Sequence, residues 1–126
     1  MSPWESITRR DYAPEIAQVR QILERIVLQD HDGGHISYLA VLREIPGLPR
    51  DIEGQHVLWR ILGCVSIDTH GEGMGMLSVI VWNEENQPGS GFYDVATRDC
   101  GWPPSASEEE IFSEELRRVY ESFSAR

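Results

Sequence analysis

The feature that most constrains this fold is the run Met76-Leu-Ser-Val-Ile-Val-Trp82. It is rich in β-branched residues and nearly all apolar, which fits a strand buried on both faces. Gly71, Gly73 and Gly75 precede it, and the polar stretch Asn83 to Gly91 follows it. Helical patterns flank the block on both sides, so the chain reads as helices gathered around one strong strand.

Upstream, residues 1 to 11 are polar, with Trp4 as a lone large ring, and read as an extended or partly ordered arm. From Tyr12 onward Ile16, Val19, Leu23 and Ile26 recur at helical spacing, with Pro14 in the first turn. Asp and Gly residues at 30 to 34 make a turn, and His35-Ile-Ser37 fits a short strand. Ser37 is placed to cap a helix from Tyr38 to about Ile45, which Pro46-Gly-Leu-Pro49 stops. A third helix starts at Asp51 or Glu53, buries Leu58, Ile61, Leu62 and Val65, and carries Trp59 beside that stripe. Phe92 to Ala96 fits a short helix or a second strand. Ser107-Glu-Glu-Glu110 is a capping box for a last helix with the stripe Phe112, Leu116, Val119 and Phe123. Arg117, Arg118 and Arg126 favour the far end of its dipole.

The order helix, short strand, helix, helix, strand is that of a winged-helix domain. The expected fold is therefore α+β and mainly helical: an arm over 1–11, then one winged-helix-like domain over 12–126. Four or five helices would surround a small sheet, with the third as recognition helix and Asn83 to Gly91 as the wing.

Composition narrows the function classes. The net charge is −10, and every basic residue is an arginine. Without lysine there is no P-loop lysine, Schiff base or lysine general base. An acidic surface repels phosphate and disfavours nucleic acid, while it suits a basic protein partner or plain solubility. No apolar run approaches a membrane span, and Met1-Ser-Pro-Trp-Glu does not resemble a signal peptide, so a cytoplasmic location is expected. Cys64 and Cys100 are then free thiols, Cys64 buried in a helix and Cys100 the more exposed.

Chemistry-bearing clusters are sparse. Asp30, His31, Asp32 and His35, and separately Asp68, His70 and Glu72, offer nitrogen and oxygen donors, but at no dedicated metal spacing; no metal or cofactor is expected. His70 with Ser78 is the catalytic candidate, as base and nucleophile, although Ser78 sits inside the strand. The alternating glycines lie on the wrong side of the strand for a phosphate loop. Four tryptophans, at 4, 59, 82 and 102, are many for so short a chain, and Trp and Arg are typical interface anchors. The expected binding surface is Trp59, Arg60, His70, Asn83, Pro88, Gly89, Gly91 and Phe92.

Leu62-Gly63, His70-Gly71, Met76-Leu-Ser78, the run into Asn83 and Pro88-Gly-Ser-Gly-Phe92 together resemble a pattern in small bacterial and phage proteins. His35-Ile-Ser-Tyr38-Leu-Ala40 is similar to the Ser-Tyr start of that pattern. The resemblance covers roughly residues 35 to 96 and implies architecture without catalytic residues. A fainter similarity is to the winged-helix half of alkyltransferase-like DNA repair proteins. Gly75-Met-Leu-Ser78 stands where their Pro-Cys-His-Arg motif would be, so alkyl transfer is not implied.

The expected function is a small, acidic, non-enzymatic protein-binding domain in a bacterial defence, toxin-neutralising or phage-related system, with a homodimer open. A winged-helix nucleic-acid regulator is the alternative, and a small hydrolase using His70 the next.

Overall fold

Helix α4 (Ile52–Gly71) is the axis of the molecule in the computed structural model, which describes residues 2–30 and 34–124. Its start is fixed by Asp51, whose carboxylate accepts the Gly54 N–H at 3.0 Å. Every residue from Ile61 to Ser66 is buried. A helix apolar on all sides has to be enclosed by neighbours. Here α1 (Pro3–Asp11), α2 (Ala13–Gln29), α3 (Tyr38–Arg43) and α5 (Ser90–Asp99) pack on it, and α6 (Glu108–Ser124) closes the far side of the core against α2.

The fold is α+β and mainly helical, as expected, but several local expectations are corrected. Met76 to Trp82 is not one strand. Leu77–Ile80 forms a 3₁₀ turn, and only Val81–Trp82 continues as strand β2. The reason is tertiary. Side chains take the backbone donors that a ladder would have used. Met76 N–H donates to Glu115 Oε1 at 2.9 Å, Leu77 N–H to Thr69 Oγ1 at 3.1 Å and Ser78 N–H to Ser66 Oγ at 3.0 Å. Buried backbone donors need partners of some kind, and α4 and α6 supply them here.

Residues 3–11 are helical rather than extended. Pro3 occupies the first turn, Glu5 is buried, and Arg9 bridges Glu5 to Asp68 of α4. The Trp4 ring lies on Gly63, where a Cβ would come within 2.9 Å of the Trp4 Cη2 atom.

Strand β1 (Ile36–Ser37) pairs in parallel with β2, Ile36 opposite Val81 and Ser37 opposite Trp82. Residues 83–89 therefore connect a strand to α5, and no antiparallel pair flanks them among the described residues. Asn83 shapes that connection: its Oδ1 accepts the Glu85 N–H at 2.8 Å and its own N–H donates to Gln87 O at 2.8 Å. Phe92 to Ala96, open between helix and strand in the sequence, lies in α5. The capping box forms at α6, with Glu110 N–H donating to Ser107 Oγ at 3.1 Å. Arg117 and Arg118 pair with glutamates in the body of α6 rather than serving its last turn. Arg126 lies outside the described residues.

Two arginine forks tie outer helices to the end of α4. Arg9 holds Asp68 at 3.0 and 3.1 Å, and Arg20 holds Glu72 through two bonds of 2.7 Å. Pairs this exposed contribute about 0–1 kcal/mol each, so burial around α4 dominates the energetics. No helix among the described residues is long and apolar enough to cross a membrane.

Candidate functional site

Trp59 belongs to α4 but not to its buried stripe, and is 47 % exposed. Ile52, at 70 %, precedes it by seven residues and Gln55 by four, which puts them along one outer face. Leu39 on α3, at 52 %, is the other large exposed apolar side chain nearby in the lining. Between α3, this face of α4 and the connection after β2 runs a groove of about 510 Å³. Tyr38, Leu39, Gln55, Trp59, Trp82 and Glu84 line it, and Gly89 and Ser90 form its end.

The β1–β2 pairing builds this groove. It places Trp82 next to Ser37, and so next to the start of α3. His35 stacks on the Trp82 indole at 4.0 Å, and Phe112 meets the same ring edge-on at 5.8 Å. Trp82 Nε1 donates to Val79 O at 2.9 Å, which fixes the ring. Tyr38 and Trp59 meet edge to face at 6.4 Å. The Gly89 N–H donates to the Tyr38 hydroxyl at 3.0 Å, and a Cβ at Gly89 would lie 3.2 Å from that oxygen. Burial raises the Tyr38 pKa, with the Gly89 hydrogen bond opposing it, so the phenol is neutral at physiological pH.

Below Trp59 a narrow slot of about 30 Å³ leads to Ser78, past Gly63, Gly91 and Phe92. That volume holds about one water molecule. The Ser78 hydroxyl is bonded to the Ser66 hydroxyl, and no histidine lines the slot. His70 sits one helical turn beyond Ser66 on α4 and makes no hydrogen bond with Ser78 among the described residues. The structure does not bring His70 and Ser78 together in this slot.

The expected surface is thus partly assembled. Trp59, Asn83 and Gly89 line the groove, and Gly91 and Phe92 join it through the slot. Arg60 lies on the other side of Trp59, in a shallower hollow of about 210 Å³ with Trp4, Asp94 and Arg98. Pro88 is buried and His70 lines none of these hollows. Tyr38, Leu39, Gln55 and Trp82 belong to the site but were not among the expected residues. The spacing of Gln55 and Trp59, four residues apart on one helix face, was the available signal for Gln55.

Of the two acidic and histidine clusters, Asp68 and Glu72 face the guanidinium groups of Arg9 and Arg20. His31 and Asp32 lie outside the described residues, and among those described no three His, Cys, Asp or Glu side chains converge as a metal site. Cys100, at the end of α5, is buried rather than exposed and belongs to the hydrophobic core. Burial pushes the Cys64 thiol up to about 11 and the Cys100 thiol up to about 12, so neither is a ready nucleophile.

The chain matches no protein-family model, no curated protein and no solved structure.

Proposed function

We propose that this chain is a non-enzymatic protein-binding domain that docks its partner in the groove beside Trp59. The observation that carries this reading is the half-exposed Trp59 indole on the wall of a 510 Å³ groove shared with Tyr38, Leu39 and Trp82. Large rigid rings with one open face, rimmed by polar groups, are the usual anchors of protein interfaces. The acidic balance of the chain, with Glu84 as the charged member of the lining among the described residues, favours a basic partner. A place in a bacterial defence, toxin-neutralising or phage-related system belongs to the same proposal.

Nucleic-acid binding in a winged-helix arrangement is the less supported reading. Helix order speaks for it. Against it, α4 is enclosed from Ile61 to Ser66, so only its first half could reach a groove of DNA. That half offers Gln55, His56 and Arg60 beside Glu53. The parallel β1–β2 pair also lacks the hairpin from which a wing extends. A hydrolase reading has no support from the Ser78 slot.

The test is affinity for a partner captured with the chain, then purified and titrated. Trp59→Ala should weaken binding at least tenfold, since truncating such an anchor typically costs about 2 kcal/mol or more. The thermal unfolding midpoint should stay near that of the parent. Unchanged affinity in the variant would remove the groove from the interface.

A further inference from the structure

The lining of the Trp59 groove selects among kinds of partner backbone. Its apolar lining comprises the rings of Tyr38, Trp59 and Trp82 beside Leu39. Its polar groups include donors open to solvent: among the described residues, neither the Trp59 indole N–H nor the Gln55 side-chain amide makes a hydrogen bond within the protein. Asn83 also lines the groove; its Oδ1 accepts the Glu85 N–H, and its amide nitrogen makes no hydrogen bond among the described residues.

An α-helix laid in this groove would satisfy its own carbonyls and leave these donors unmatched. Strand addition needs a long open sheet edge, whereas β1 and β2 are two residues each. A polyproline II segment has no internal hydrogen bonds, so every carbonyl is available to side-chain donors. Its proline rings pack on Tyr and Trp faces, and its stiffness reduces the entropy lost on binding. Glu84 within the lining and Glu85 beside it, on a chain of net charge −10, complement a cationic flank on the ligand.

We infer that the groove takes a proline-rich, extended segment flanked by arginine or lysine. This rests on the docking reading above and narrows it to one class of ligand. The Trp59 indole N–H would donate to a ligand carbonyl, and Glu84 would face the cationic flank.

The experiment is a titration of the intact, ¹⁵N-labelled chain, followed at its indole N–H signals. One probe set is short proline-rich peptides with arginine flanks; the other is amphipathic helical peptides of the same charge. The proline-rich set should shift the Trp59 indole signal saturably. Trp59→Ala should weaken that binding at least tenfold, and Glu84→Gln severalfold, with the Glu84 effect shrinking at high salt. If the helical set binds at Trp59 and the proline-rich set does not, the ligand class is wrong while the docking site stands. If neither set perturbs Trp59 at millimolar concentration, the ligand class is again overturned. The captured-partner titration then decides the docking site separately.

Discussion

The backbone N–H of Met76 donates to Glu115 Oε1 at 2.9 Å, joining the segment after α4 to the middle of α6. The other carboxylate oxygen accepts Trp102 Nε1 at 2.7 Å and Arg118 at 3.1 Å. Glu115 is fully buried, and the Arg118 guanidinium also lies over the Trp102 ring. One acidic side chain thus anchors three otherwise separate pieces of chain. Glu115→Ala strands two donors, each costing about 1–3 kcal/mol when left without a partner. We expect a loss of about 3 kcal/mol on that basis, and a smaller loss for Glu115→Gln, which keeps one acceptor oxygen. Urea unfolding measures both; a loss below about 1 kcal/mol for the alanine variant would mean that water replaces the carboxylate at no cost.

The same residue marks the boundary of what the sequence discloses. Helices α2, α3, α4 and α6 were legible because their apolar residues recur at helical spacing, and three of them carry a side-chain cap, Ser37, Asp51 and Ser107. Met76 to Trp82 looked like a strand because apolar, β-branched composition reports burial, not backbone shape. Its 3₁₀ turn depends on Ser66, Thr69 and Glu115, which are remote in sequence. On α6 the buried line runs through Ile111, Glu115, Val119 and Phe123, and the glutamate within it hid that stripe. Helix α1 was missed for a related reason: its anchors are one ring and an arginine fork rather than an apolar stripe. At the site, Trp59 and the 83–92 stretch could be singled out as contact residues. Their convergence with Tyr38 and Trp82 could not, because it depends on a two-residue parallel pairing across the core.

Trp4 against Gly63 sets how α1 seats on α4. A methyl at Gly63 would stand 2.9 Å from Trp4 Cη2 and 3.4 Å from Val95 Cγ2. Gly63→Ala should cost about 1–3 kcal/mol by overpacking. In a Trp4→Ala background the same substitution should cost less than about 1 kcal/mol, because the two sites are in contact and couple. A double-mutant cycle by denaturant unfolding reads the difference. Equal costs in both backgrounds would place α1 elsewhere.

Stability should fall on the alkaline side. Burial raises the Cys64 thiol to about 11, the Cys100 thiol to about 12 and the Tyr93 and Tyr120 phenols to about 12. Each group holds its proton longer in the folded chain than in the unfolded one. The folded state therefore binds more protons above the ordinary thiol and phenol pKa values, and stability drops as pH rises there. The contribution is complete below pH about 8.5, where unfolded thiols begin to ionise, and is lost progressively from there toward pH 12. Unfolding midpoints taken from pH 7 to 11 should decline above pH about 9, and a Cys64→Ala, Cys100→Ala double variant should decline less steeply. A flat profile would show that the thiols ionise freely in the folded protein.

The docking surface itself is tested most directly by a photo-crosslinking residue in place of Leu39, which is 52 % exposed and lines the groove. The control places the same crosslinker at Ile7 of α1, 47 % exposed and outside the groove lining. In cells expressing the intact chain, position 39 should give a discrete covalent adduct with a partner protein. Position 7 should give none, and Trp59→Ala should abolish the adduct at position 39. The same adduct at both positions, or an adduct that survives Trp59→Ala, would contradict docking at the Trp59 groove.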